Sequence, residues 1–153
     1  MRPVPDQDFA IRPAAAGDLP GLVVLYHYLN PTDAILDGAI AEERFSAILT
    51  QPGMRILIGF AGDLAVATVT LIVVPNLTRG GASYALIENV VPHADHRQRG
   101  YAGAVIGHAL TQAWKAGCYK VMLLTGSKNP ATLRFYENCG FAQDKTGYQI
   151  RRP

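Results

Sequence analysis

The strongest constraint on the fold is a change of period just past residue 54. From there the chain delivers three runs rich in branched and aromatic residues, 55–61, 64–74 and 83–91, separated by Gly62-Asp63 and by the Asn76 to Gly81 segment. Runs of this composition bounded by turn residues predict three consecutive antiparallel strands. Before the change, Leu22, Val23, Leu25, Tyr26 and Leu29 recur at helical spacing, predicting a helix opened by Asp18 and stopped at Asn30-Pro31. A second helix is expected over 38–49, ended by Pro52-Gly53, and a short first strand over 9–12. The two helices, joined by a short loop, would line one side of any acceptor pocket. Residues 1–8 carry two prolines and no periodic apolar pattern, and read as a flexible leader ahead of a single domain over 9–153.

After the third strand comes a turn holding Pro92, His93, Asp95 and Arg97, then a helix from about Gly100 to Ala116 with Gly117 as its stop. Residues 121–125 predict a short buried strand. Asn129-Pro130 caps a further helix over 131–138, which Gly140 terminates before a last strand or strand pair through Tyr148, Gln149 and Ile150.

Composition removes several function classes. With 14 basic and 12 acidic residues the net charge is only +2, too little for a dedicated nucleic-acid binder. Arg97, Arg99, Arg134, Arg151 and Arg152 nevertheless fall in the C-terminal half, where a local positive patch would receive an anionic ligand. The most apolar stretch, 64–75, is interrupted by Thr68 and Thr70 and is too short to cross a hydrocarbon layer of roughly 30 Å as a helix. The two cysteines, Cys118 and Cys139, are too few for a disulfide framework, and no basic segment followed by an apolar export run opens the chain. A soluble cytoplasmic protein with reduced thiols is expected, with no membrane and no nucleic-acid partner. His93 and His96 lie in a turn without a second ligand cluster and read as solvated loop imidazoles, so no metal is expected.

The most informative segment is Arg97-Gln98-Arg99-Gly100-Tyr101-Ala102-Gly103, between a strand and a helix. Gly100 and the small Ala102 and Gly103 let backbone approach a ligand closely, and amides at a helix start favour phosphate oxygens. The flanking arginines can add charge-assisted bonds. Taken alone, a glycine turn before a helix is more often plain structural punctuation.

The run Arg97-x-x-Gly100-x-Ala102 resembles the pyrophosphate-binding motif of the GCN5-related N-acetyltransferase (GNAT) superfamily. Upstream, Ile87-Glu88-Asn89-Val90-Val91 is similar to the central strand of that superfamily. Downstream, Asn129 followed by Tyr136 within Phe135-Tyr136-Glu137-Asn138-Cys139-Gly140-Phe141 is similar to its second cofactor motif. The resemblance implies an α/β (α+β) fold, with a mixed, mostly antiparallel central sheet flanked by helices and splayed central strands. It also implies that acetyl-coenzyme A is the acetyl donor. Backbone at Val90, Val91 and Pro92 would meet the pantetheine arm as an added strand, and Gln98 to Gly103, with Arg97, would meet the phosphates. Pro92 has no N–H to give, so that pairing should shift at this point.

For the chemistry, the resemblance implies direct transfer to a primary amine. Glu88 would take the amine proton, directly or through water, and Tyr136 would serve the departing sulfur as general acid. Asn129 would cap its helix and touch the pantetheine. Cys139, with no histidine neighbouring it in sequence, reads as a small apolar thiol and not a nucleophile. Gly117 to Val121, the Phe135 to Phe141 block and the ending Tyr148-Gln149-Ile150-Arg151 are similar to the glucosamine 6-phosphate N-acetyltransferases. That group has Glu-Asp-Val where Glu88-Asn89-Val90 stands, and places an arginine corresponding to Arg151 on the sugar phosphate. The asparagine at 89 and the longer loop from Gly126 to Pro130 favour an unspecified small amine over the sugar. Glu88, Asn89, Val90 and Arg151 are the expected acceptor contacts, and a homodimer is expected from the apolar last strand. A catalytically silent acyl-CoA-binding module is the competing class.

Overall fold

The computed structural model describes residues 8–153; apart from Asp8, the expected leader lies outside the described residues. In chain order the elements are β1 (Phe9–Pro13), α1 (Leu19–Leu29), α2 (Gly38–Thr50), β2 (Met54–Ala61), β3 (Leu64–Val74), β4 (Tyr84–Pro92), α3 (Tyr101–Lys115), β5 (Val121–Met122) and α4 (Pro130–Asn138). The strands form one sheet in the order β1-β2-β3-β4-β5. Neighbours from β1 to β4 run antiparallel and β5 joins β4 in parallel, so the sheet is mixed and mostly antiparallel, as expected.

Helices cover both faces. On one, Val105, Ile106, Ala109 and Ala113 of α3 bury against Leu57, Val69, Leu71, Ala85 and Ile87. On the other, Leu22 and Leu25 of α1 and Phe45 of α2 bury against Ile56, Ile58, Ala65 and Val91. Each fully buried Leu, Ile or Phe contributes about 1.5–3 kcal/mol. Residues 65–71 of β3 are buried on both faces, which explains the near-continuous apolar run with only Thr68 and Thr70 inside it. Thr68 stays satisfied by donating its hydroxyl to the Leu57 carbonyl at 2.9 Å.

Asp18 sits at the N-cap position of α1, but its carboxylate turns back from the helix. It accepts from the Ala15 amide at 2.7 Å and from Arg12 at 2.6 and 2.9 Å, pinning β1 to the start of α1. The Arg12 bond is the main cause that lowers the Asp18 carboxyl below its ordinary value. Asp37 caps α2, its Oδ1 accepting from the Ala39 amide at 3.0 Å.

The C-terminal third departs from expectation twice. β5 keeps only Val121 and Met122 in the sheet instead of the five residues expected. The last strand is not formed: residues 141–153 hold no helix or strand, with Tyr148 91% and Ile150 97% exposed. A strand exists only where a neighbouring ladder accepts it, and the short β5 offers too little edge. The segment passes so close to the chain beyond β5 that a Cβ on Gly147 would come within 2.7 Å of Leu124, yet no pairing results.

Candidate active site

The register of β3 on β4 slips in the middle of the sheet. Thr68 pairs with Val91 and Thr70 with Glu88, so two steps on β3 face three on β4. The extra residue is accommodated at Asn89, whose φ of +51° is in the left-handed region. Asparagine is among the few side chains that tolerate that conformation, and a β-bulge needs it. The bulge re-phases the strand: Ile87 and Val90 pack with α3, whereas Val91 packs with α1 and α2. Glu88 and Asn89 are left exposed at the slip. Across from Glu88, Thr70 is hydrogen-bonded to the Tyr26 phenol of α1.

On its other edge β4 meets β5 only at Ala85–Val121 and Leu86–Met122. Among the described residues no pairing between them extends past Leu86, so from Ile87 to Pro92 the two chains part into a wedge. Unpaired backbone inside a sheet is costly unless something bonds to it. The splayed strands that the sequence implied are therefore present.

The wedge leads into the segment 97–103. A short helical turn over Ala94–His96 brings the chain around, and Gln98 and Gly100 then adopt φ of +63° and +79°. Two left-handed residues so close together bend the backbone sharply at the start of α3, a nest-like turn of the kind whose amides suit an anion. The Ala104 amide donates to the Gly100 carbonyl at 3.0 Å, opening α3 and leaving the Ala102 and Gly103 amides without an intrahelical acceptor. Arg97, Gln98 and Arg99 are exposed around this nest, whereas Tyr101 is buried.

α4 stands beyond the wedge. Asn129 Oδ1 accepts from the Ala131 amide at 3.0 Å, and Asn129's own amide donates to Ser127 Oγ at 3.2 Å, so the 125–131 loop is held by side-chain caps. Tyr136 is half-buried between Phe135 and Phe141, at 5.1 and 6.3 Å between ring centroids. Burial first, and the neighbouring Cys139 second, push its phenol above the ordinary value. Burial likewise raises the Cys118 thiol. Arg151 is exposed within the segment that forms no strand, so nothing in this chain's sheet carries it toward Glu88.

The two loop histidines require a correction. His93 is only 8% exposed, so it is not a solvated imidazole. Its ring lies 4.9 Å from Tyr28 of α1 and 5.1 Å from His96, because the turn after β4 folds back under α1 instead of out into water. No group of three or more His, Cys, Asp or Glu able to hold a metal occurs among the described residues. A cavity of about 200 Å³ under the start of α1 is lined by Gly17, Gly21, Phe60, Ala65 and His93, and includes neither Glu88 nor any residue of 97–103. This half-open hollow is separate from the wedge beside β4, which is the candidate site.

The model of the acetyltransferase (GNAT) family matches residues 22–141. A glucosamine 6-phosphate N-acetyltransferase of Trypanosoma brucei brucei is 37% identical over 76 residues, 50% of each chain. The chain spans about half the length of the curated relatives it matches. A solved structure from Agrobacterium tumefaciens, described as a candidate acetyltransferase, is 52% identical at a TM-score of 0.91, covering 94% of this chain and 99% of that one. A transcriptional regulator from Bacillus halodurans is 26% identical at a TM-score of 0.87, with the same coverage.

Proposed function

Since the chain belongs to the GNAT family of acetyltransferases, we propose that it is an acetyl-CoA-dependent N-acetyltransferase that acetylates the primary amine of a small molecule. The observation that carries this reading is the continuity of two features. An unpaired β4 edge from Ile87 to Pro92 is followed, after the single turn over Ala94–His96, by the nest at Gln98 and Gly100. One suits the amides of a pantetheine arm and the other a diphosphate, so both ends of coenzyme A find matching chemistry along one path. The donor supplies an activated thioester.

Glu88, exposed at the bulge, accepts the proton that the amine must lose, directly or through a water. Tyr136 keeps its proton at neutral pH because burial disfavours the phenolate. A phenol near 10 is a weaker acid than a thiol near 8.5, so full transfer to the departing thiolate is uphill by about 2 kcal/mol or more. Tyr136 therefore acts mainly by hydrogen-bonding the sulfur as charge develops, with bulk solvent completing the protonation. Asn129 holds the start of α4 and contacts the pantetheine.

Glucosamine 6-phosphate is the second reading, favoured by the names of the curated relatives and weakened by Asn89 and by the unplaced Arg151. A homodimer is proposed with it: the exposed Leu124, Tyr148 and Ile150 leave an apolar edge that a second copy would cover. We assign the reaction to the cytoplasm; among the described residues no helix is long and apolar enough to cross a membrane. The test is release of free thiol from acetyl-CoA across a panel of amino acids, polyamines and amino-sugar phosphates. Turnover with one class identifies the acceptor. Coenzyme A binding with no turnover on any amine would make the protein a silent binding module instead.

A further inference from the structure

We infer that His93 is a positioning residue for the diphosphate nest, acting through the turn that precedes it; the inference rests on the coenzyme A reading above. His93 Nδ1 accepts the Asp95 amide at 3.1 Å, and the His93 backbone amide donates to the Val66 carbonyl at 2.7 Å. One residue thus caps the 94–96 turn and moors it to β3. Because Nδ1 is the acceptor, the ring proton sits on Nε2, which faces the Tyr28 phenol oxygen at 3.5 Å. The imidazole is thereby fixed in orientation from two sides.

The rings continue in sequence. His93 meets His96 edge-on at 5.1 Å, His96 lies 6.3 Å from Tyr101, and Tyr101 stacks on Phe9 of β1 at 4.9 Å and 19°. His96 and Tyr101 immediately bracket residues 97–100, so the nest is a short loop whose two ends are clasped by aromatic contact. Gln98, a non-glycine residue at φ of +63°, lies inside that clasp and is strained unless its surroundings hold it. The nest borrows its shape from the clasp, and His93 is where the clasp is anchored to both β3 and α1. His96 Nδ1 is buried with no hydrogen-bond partner, which shows how fully the turn has been drawn inward.

Cap and ring can be separated by substitution. His93→Asn keeps a side-chain oxygen able to cap Asp95 and loses the ring; His93→Phe keeps a ring and loses the cap; His93→Ala loses both. Coenzyme A affinity is measured by calorimetry and pantetheine serves as the ligand lacking the diphosphate, while amide hydrogen exchange at His96 and Ala104, the hydrogen-bonded amides on either side of the nest, is followed without ligand. Expected for His93→Ala and His93→Phe is a loss of coenzyme A affinity of about fivefold to tenfold, the size of a lost cap. Exchange at His96 and Ala104 should accelerate similarly, pantetheine affinity should be unchanged, and His93→Asn should stay within about twofold of the parent. A general structural role would weaken pantetheine in step with coenzyme A. Unchanged exchange and affinity in both the Ala and Phe variants, or an Asn variant as weak as Ala, overturns the anchor. If the parent protein fails to bind coenzyme A while exchange still accelerates in the variants, the anchor stands and the coenzyme A reading falls.

Discussion

Gly100 offers the sharpest test of the nest, because its conformation carries a cost that must surface somewhere. At φ +79° and ψ +3° it occupies the left-handed region directly at the start of α3. A Cβ there costs roughly 1–2 kcal/mol. In Gly100→Ala the protein has two ways to respond. It can keep the turn and lose that energy from stability, lowering the melting temperature by about 2–8 °C for a chain of this size. Alternatively it can flip the peptide out of the left-handed region, keep its stability, and lose the anion-holding arrangement, which would weaken coenzyme A about 5- to 30-fold. A ligand-free thermal melt and calorimetry with coenzyme A measure the two shares, whose sum should return the 1–2 kcal/mol. Gly100→Asn should show a markedly smaller sum, since asparagine tolerates this conformation. A summed loss below about 0.5 kcal/mol in the alanine variant, or an asparagine variant equal to it, would refute the reasoning.

Glu88→Gln should lower turnover at neutral pH by about 10²-fold and recover part of it as pH rises and the amine deprotonates unaided; a pH-independent deficit would point to binding instead. Tyr136→Phe should cost about 10- to 100-fold in kcat at nearly constant coenzyme A affinity, in keeping with a lost hydrogen bond to developing charge. Gly107 is exposed in mid-α3 with nothing within 4 Å of an added Cβ, so Gly107→Ala should raise stability by about 0.5–1 kcal/mol in a thermal melt. Asp18 has a lowered folded-state value, so its contribution is present above the unfolded carboxyl's pKa and lost as pH falls through the folded one. Asp18→Asn should accordingly be less stable than the parent at neutral pH, and the two melting curves should converge in acid.

The elements that declared themselves in the sequence are those with a local cause. Asn129 and Pro130 announced α4 because a cap and an N1 proline act within one turn. The three-strand block was legible because its separators are short and its composition is uniform. The failures came from partners far away in the chain. Tyr148-Gln149-Ile150 alternates like a strand, but alternation cannot reveal that β5 is too short to receive it. His93 looked like a loop residue because its burial is supplied by Tyr28, distant in sequence and opposite in the fold. The bulge left no comparable mark: Ala85, Leu86 and Ile87 are all apolar, so the alternation of burial along β4, and its slip between Val90 and Val91, exists only in the folded sheet. At the site, the residue types in the wedge and nest could be read from their spacing, whereas the left-handed backbone at Gln98 and Asn89 could not, because neither is glycine.

That odd residue in β4 works like an inserted letter that shifts a reading frame. Upstream of Asn89 the strand obeys one parity and downstream the other, so a deletion there would exchange inside for outside along the rest of the strand, sending Val91 out of its core. The same insertion leaves Glu88 in the open. Folding and chemistry consequently depend on a single count along the chain, and shortening β4 by one residue should abolish both together, whereas replacing the side chain at 89 should trouble them separately.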